Sequence, residues 1–438
     1  MNGVSTETSE DPVEEFVEQA GRAGLTLPAR RRTSLWQVAA ICATIVLISV
    51  GIGAATGWMN LRPTSSTPPG LFGPQSCAGQ AGQRVQLQGA TPPDSDPLLT
   101  QSLAYLSHQF FSSYGNCIQV SYPSSTGSSG LGPLDSRSAD FAVLESPPTS
   151  AQLSQIPEPA YVLPFGLTSV AIIYHLPGLD GTLNLNGSVL GAIYSGGITT
   201  WNAPPIQKLN PSVDLPVGLP ISVSYRSDAT PLNAAFASFL AGSDPAWNAS
   251  ASSGSAVPFP IGAPEISETS LVDRVANVTG AIGYAEGGSS LPSDLGTANL
   301  ENAAGNFTSP SAVCVVSAAS AEAQETSSAG ANWTGASLLD AAGNASYPLS
   351  YLSYLVVYQD LGRAFAGNLS LLSAQWEMTF LWWVVTDGGY LTAPLGYNQL
   401  PAGIVANSQT VLEKVAFDGK SILETGEGSE GGGETGEF

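Results

Sequence analysis

Apolar residues along this chain recur at two periods. Runs with period two, or short continuous apolar runs, predict strands over Arg84–Gln88, Ile118–Tyr122, Phe141–Leu144, Ser169–Tyr174, Ile221–Tyr225, Ala281–Ala285 and Leu352–Tyr358. Stretches with apolar residues at i, i+3, i+4 and i+7 predict helices over Pro97–Tyr114, Gly187–Tyr194, Thr230–Ala241, Ser270–Asn277 and Ala364–Thr386. Strands interleaved with helices define the α/β class. The Ala/Ser/Gly-rich residues 318–347 lack either period and are expected to form a loop.

The most informative stretch is ISVSYRSDATPLNAAFASFL, residues 221–240. A short strand runs into the polar turn Arg226-Ser227-Asp228-Ala229-Thr230, and a helix follows with Leu232, Ala235, Phe236, Phe239 and Leu240 on one stripe. Thr230 suits the N-cap, and Pro231 suits the first helical position, where a missing N–H costs least. Such a turn points unpaired N–H groups and the positive helix end at one spot, beside an arginine, which suits a small anion. Many strand-to-helix turns share this form and bind nothing, so the pattern needs support from elsewhere.

Outside the periodic region the chain changes character. Residues 1–35 form an acidic tail ending in the cluster Arg30-Arg31-Arg32. Trp36–Trp58 then runs 23 residues without a charge and has a tryptophan at each end, the length and flanks of a transmembrane helix. Its arginines place the N-terminus in the cytoplasm and the rest outside the cell membrane. A cleaved export signal is the rival, with Arg31-Arg32 resembling a twin-arginine start, but the leader is long and no lipobox precedes a cysteine. Residues 59–82 are a Pro/Ser-rich linker, and residues 419–438 a Gly/Glu tail without core-forming residues, expected to be disordered.

Charge and rare residues narrow the chemistry. The net charge is −22 although only 11% of residues are charged, and there are 13 Lys plus Arg, so nucleic acid is excluded as a partner. Two isolated histidines, His108 and His175, supply no metal site, and no cofactor is expected. Cys77 and Cys117 allow a disulfide if exported, which leaves Cys314 as a buried thiol. Sequons at Asn186, Asn248, Asn277, Asn306, Asn332, Asn344 and Asn368 all follow the apolar segment and are compatible with surface glycosylation. No nucleophile–base motif is present, and no enzyme is expected.

Four stretches carry a family resemblance: LNGSVLGAIYSGGITTWNAPPIQKLNP (185–211), residues 221–240, VPFPIG (257–262) and VDRVANVTGAIGYAE (272–286). Weaker echoes are QGATPP (88–93), TGSSGLG (126–132), ADFAVLES (139–146) and LGYNQLP (395–401). In these the chain resembles the phosphate-binding receptors of ABC-type phosphate importers, of the type II periplasmic-binding-protein fold. The resemblance implies a two-lobed α/β fold preceded by one transmembrane helix. Lobe 1 would comprise residues 83–166 plus 349–418, and lobe 2 residues 167–348.

Carried over position by position, the resemblance implies an oxyanion site of Thr91, Ser128, Glu145, Arg226, Asp228, Thr230 and Leu232. Arg226 would supply charge and Asp228 would hold it. Thr91, Ser128 and Thr230 would donate, and Glu145 would accept a proton of the ligand, standing where the family has the shorter aspartate. The departure is Thr230-Pro231-Leu232, where the family has Ser-Gly-Thr: Pro231 lacks an N–H and Leu232 keeps its N–H but lacks a hydroxyl. Two lost charge-assisted hydrogen bonds, at about 1.5–3 kcal/mol each, weaken binding by roughly 10²–10⁴-fold. The implied partners are phosphate or a related oxyanion and an ABC permease in the membrane. The alternative is a surface or sensor protein on the same scaffold, with a degraded site and no transport role.

Overall fold

The computed structural model describes residues 67–74, 85–92, 95, 97–116, 118–122, 130–228, 230–244, 247, 259–288, 291–326, 333 and 336–423. The expected tail 1–35, the transmembrane segment 36–58, Cys77, Cys117 and Ser128 lie outside them. Among the described residues no helix is long and apolar enough to cross a membrane.

The chain opens with β1 (Val85–Ala90), α1 (Pro97–Ser113), β2 (Ile118–Ser121), the single turn α2 (Gly132–Asp135) and β3 (Phe141–Leu144). Leu99, Leu103, Leu106 and Phe110 form the buried stripe of α1, at the spacing the sequence predicts. A second single turn, α3 (Ser150–Leu153), is closed by a capping box between Thr149 and Gln152. Then comes β4 (Ala160–Tyr174), 15 residues long and nine residues earlier in its start than the period predicts. Its run AYVLPFGLTSVAIIY is buried on both faces from Val162 onward, so alternation is lost and its first part does not read as a strand.

Next follow β5 (Asn184–Leu185), α4 (Gly187–Tyr194), α5 (Pro204–Leu209), β6 (Ser222–Arg226), α6 (Pro231–Ser243), β7 (Ala263–Glu265), α7 (Glu268–Asn277) and β8 (Ala281–Glu286). Short strands β9 (Gly296–Thr297), β10 (Asn299–Glu301) and β11 (Phe307–Thr308) lead into α8 (Ala312–Thr326). That helix corrects the loop expected from residue 318: its small residues pack closely, with Cys314, Val315, Ala318 and Ala319 buried. The chain ends with β12 (Ser350–Tyr358), α9 (Leu361–Ala364), α10 (Leu371–Trp383), α11 (Gly389–Thr392) and α12 (Ala402–Leu412). A hairpin of β13 (Ala416–Phe417) and β14 (Lys420–Ser421) closes it. The single helix expected over Ala364–Thr386 is broken where Ala366 and Gly367 take the left-handed conformation, φ 50° and 81°.

Sheet order is β2-β1-β3-β12-β4-β8-β6-β7. β1 is parallel to β2 and β3, and β6 is parallel to β7 and β8. Between these parallel halves run β12 and β4, with β12 antiparallel to both β3 and β4, and β4 antiparallel to β8. The two halves therefore run in opposite senses. Leu144, at the carboxyl end of β3, is level with Tyr354, which pairs with Pro164 of β4. Glu286, at the carboxyl end of β8, is level with Val170 of the same strand. Six residues of β4 separate these levels, a span of about 20 Å at 3.3 Å per residue. The carboxyl ends of both halves face each other across that span, where open α/β sheets hold ligands.

The crossing strands carry an irregularity there, a register shift between Ser353 and Tyr354. Tyr397 packs against Gly166, where a Cβ would lie 2.7 Å from its ring, and Asn398 N–H donates to Leu167 O at 2.7 Å. So the stretch LGYNQLP braces the middle of β4.

Separate aromatic clusters fill the two halves. Phe110, Tyr114, Phe141, Trp376, Phe380 and Trp383 pack in the first, and Tyr194, Phe236, Phe259 and Tyr284 in the second. Trp201 is fully buried, with its indole N–H on Gly280 O at 2.9 Å, which makes it core. The outer segments depart from expectation in part. Phe72, in the expected linker, stacks on Trp376 at 4.0 Å, and its N–H donates to Thr379 at 3.2 Å. Gly70 lies against Leu423 and the buried Ile422, so the expected tail begins with a packed hairpin and not with disorder.

Candidate functional site

Arg226 is the last residue of β6 and is 2% exposed. Burial of a guanidinium in a protein interior requires charge and hydrogen-bond partners. Its Nε donates to Asp228 Oδ1 at 3.0 Å and its Nη2 to Asp228 Oδ2 at 2.5 Å, a two-pronged pair. Glu268 Oε2 stands 3.9 Å from Nη1.

The turn that carries this pair is fixed from beneath. Asn233, fully buried in the first turn of α6, donates through Nδ2 to Arg226 O at 2.8 Å and to Asp228 O at 2.6 Å. Its Oδ1 accepts from the Tyr284 hydroxyl, which itself accepts from Arg226 N–H at 3.0 Å. Burial pushes the Tyr284 phenol far above its ordinary range, so it stays a donor. Thr230 caps α6 in extended conformation, accepting from Asn233 N–H at 3.4 Å, and Pro231 takes the first helical position. Both roles match those read from the sequence. Leu232 turns its side chain into the core, fully buried, so it brings no polar side-chain group to the turn.

A second buried carboxylate borders the same edge. Glu286, 2% exposed at the end of β8, accepts from the Thr168 hydroxyl at 2.9 Å and from the Tyr351 hydroxyl. These donors come from β4 and β12, the strands that join the halves. Glu286 N–H donates to Glu268 Oε1 at 3.4 Å. Arg226, Glu268, Glu286 and the crossing strands thus form one continuous polar chain.

Thr91 and Glu145 occupy the opposing edge. Each is 4% exposed and follows directly on β1 or β3, which are paired through Ala90 and Ala142. Gly130 lies against Pro92 and Leu144, at the same strand ends. Of the sequence-predicted residues, Arg226, Asp228 and Thr230 share one turn, and Thr91 and Glu145 share the facing strand ends. Asp140 accepts from Gln88 N–H at 2.7 Å at the amino end of β3.

Sequence reasoning missed Asn233, Tyr284, Glu268, Glu286, Thr168 and Tyr351. Asn233 had a local signal, an amide three residues after an N-cap threonine. Glu268 had none, because it reaches Arg226 from another strand–helix unit. Among the described residues no cluster of His, Cys, Asp and Glu is suited to a metal ion.

Two parallel half-sheets, aimed at each other over shared long strands and edged by buried polar groups, define a two-lobed α/β binding protein. Residues 78–387 match the family model described as the PBP superfamily domain, and the chain belongs to that superfamily. It is 27% identical over 309 residues to the phosphate-binding protein PstS of Pasteurella multocida, covering 70% of this chain and 86% of the relative. The PstS of Xylella fastidiosa is 25% identical over 347 residues, covering 78% and 86%. A solved structure of a high-affinity periplasmic phosphate-binding protein bound with phosphate superposes with a TM-score of 0.51. It is 18% identical and covers 73% of this chain and 92% of its own.

Proposed function

We propose that this chain is an extracytoplasmic solute receptor. It closes its two lobes, residues 83–166 plus 349–418 and residues 167–348, around phosphate or a related oxyanion and presents the closed form to an ABC permease. The relatives named as phosphate-binding proteins support that ligand. The observation that carries the reading is Arg226: a buried guanidinium, braced by Asp228, at the edge of one half that faces the other. In this reading Thr91, Ser128, Thr230 and the Leu232 N–H donate to the anion, and Glu145 accepts its proton. The apolar segment 36–58 tethers the receptor in the cell membrane with its N-terminus in the cytoplasm.

Closure follows from population shift, since a ligand that touches both strand edges favours the state in which they approach. The turn is stiff, because Asn233 ties two of its carbonyls to the helix below, and stiffness lowers the ordering cost of binding. That offsets part of the loss at Pro231-Leu232.

Titration calorimetry with inorganic phosphate on the full chain tests the reading. Saturable binding that Arg226→Ala weakens at least 10³-fold supports it, and equal binding by both proteins overturns it. A second reading, a sensor or surface protein with a degraded site, is favoured by the buried Leu232 side chain where the resemblance implies a hydroxyl. Absence of phosphate binding below millimolar concentration decides for it.

A further inference from the structure

We infer that Leu395–Asn398 form a stop on the bend between the lobes, where Gly396 bears on Gly288 and sets how far the cleft closes. This goes beyond the receptor reading and takes from it only that the two lobes move against each other.

The register of the joining strands localises the bend. Ser353 of β12 pairs with Gly166 of β4, but Tyr354 pairs with Pro164, so Phe165 is an extra residue on β4. Such a bulge bends a strand and increases its twist. Both sides of it are held. Towards lobe 1, the Ser408 hydroxyl of α12 donates to Pro164 O at 3.3 Å. Towards lobe 2, Glu286 ties Thr168 of β4 to Tyr351 of β12 through their hydroxyls. Motion between the lobes therefore concentrates at residues 164–166 and 353–354.

Beside this bend, one edge of β4 is shared by both lobes. Carbonyls of residues two apart point to the same edge of a strand. Ser169 O accepts from Gly287 N–H of lobe 2 at 2.7 Å, and Leu167 O accepts from Asn398 N–H of lobe 1 at 2.7 Å. The two segments touch at Gly288 and Gly396, backbone against backbone. A Cβ on Gly288 would lie 2.2 Å from Gly396 O and 2.3 Å from its Cα. Gly396 itself has φ 122°, which a residue with a side chain rarely adopts. Tyr397 seats the stop, with its ring against Gly166 and its hydroxyl 3.2 Å from Ser353 Oγ, both at the bend.

The contact lies on the cleft side. Gly288 is two residues past the carboxyl end of β8, the end that faces the other half. Backbone of lobe 1 that abuts it stands between the facing edges, and closure presses the two together. Close-packed backbone yields little, so the contact limits closure.

The test measures the distance between the lobes by electron spin resonance on the full chain, and phosphate affinity by titration calorimetry. Spin labels are attached through ketone side chains at the exposed positions of Gln101 in lobe 1 and Asp273 in lobe 2. Gly288→Ala sets a methyl group against Gly396 and is expected to shift the distances upward, with and without phosphate. Phosphate binding should weaken about tenfold, as a wedge against the closed state requires. Gly403→Ala makes the same exchange on α12, where a Cβ meets nothing within 4 Å, and is expected to match the wild type in both measurements. Tyr397→Leu unseats the stop without adding a wedge. It is expected to broaden the distribution towards shorter distances, and it decides the matter if the alanine variant does not fold. Wild-type distances in folded Gly288→Ala, or in Tyr397→Leu, overturn the inference and leave the receptor reading standing. A wild type that binds no phosphate overturns that reading, and the distances without ligand still decide for or against the stop.

Discussion

The half of the sheet built on β6–β8 and the half built on β1–β3 each bury a glutamate, and they treat it in opposite ways. Glu286 lies at the strand edge that faces the other half, and its two oxygens accept from Thr168 and Tyr351. Glu377, on α10, is fully buried and neither of its oxygens has a hydrogen-bond partner. Burial, reinforced by the negative charge of Asp140, pushes the Glu377 carboxyl well above its usual range, so it sits in the core as the neutral acid. A carboxylate supplied with donors is affordable inside a protein and contributes to a site; one without donors takes up a proton and becomes a poor core residue. The difference separates groups arranged around the facing edges from groups the fold merely tolerates.

That contrast is open to direct attack. The largest effect is expected from Glu286→Leu, which strands the Thr168 and Tyr351 hydroxyls between the joining strands. Two hydrogen bonds to a charged acceptor contribute about 1.5–3 kcal/mol each, so denaturant unfolding should show a loss of about 3–6 kcal/mol. Glu286→Gln, which keeps one acceptor, should lose clearly less. Equal losses for the two would mean the carboxylate is not what the hydroxyls require.

Glu377 should behave with the opposite sign. A carboxyl whose native pKa is raised keeps a proton that the unfolded chain has released. Its contribution is therefore full below the ordinary carboxylate range near pH 4.5 and falls as pH rises, by about 1.4 kcal/mol per pH unit, until the native value is reached. Glu377→Met should remove that slope, matching the wild type near pH 4.5 and exceeding it by pH 7–8 in urea unfolding. A variant less stable than wild type at pH 8 would show that Glu377 has a role after all.

Smaller effects are expected beneath the Arg226–Thr230 turn. Asn233→Ala breaks the links to Arg226 O and Asp228 O and leaves the Tyr284 hydroxyl without its acceptor, at a cost of about 2–3 kcal/mol. If the turn is held as described, phosphate affinity should fall together with stability. Thr230→Ala removes the N-cap of α6 and should cost about 1 kcal/mol in the same assay. No measurable change would mean that the helix start is held by its packing alone.

Much of this architecture is legible along the chain because local rules govern it. Period and punctuation identify α1, α4, α6, β3 and β8 to within a few residues, and Thr230-Pro231 marks the start of α6 on capping chemistry alone. Arg226, Asp228 and Thr230 come within four residues of one another, so no fold is needed to bring them together. Longer-range features leave no such trace. The first half of β4 is buried on both faces and loses its alternation, and α8 is made of small residues that form a helix because neighbours cover them.

What the sequence determined by itself, then, was the α/β class, the polar turn Arg226–Thr230 and its cap, since each depends on residues that touch within one or two turns of chain. What tertiary structure alone decided was that the two strand edges face each other across the joining strands, and the meeting of Glu268 with Arg226 and of Glu286 with Thr168 and Tyr351. Those contacts join positions 42 to 118 residues apart, and their existence depends on strand order and direction. Hydrophobic period reports which face of an element is buried; it carries no information about which other element covers that face.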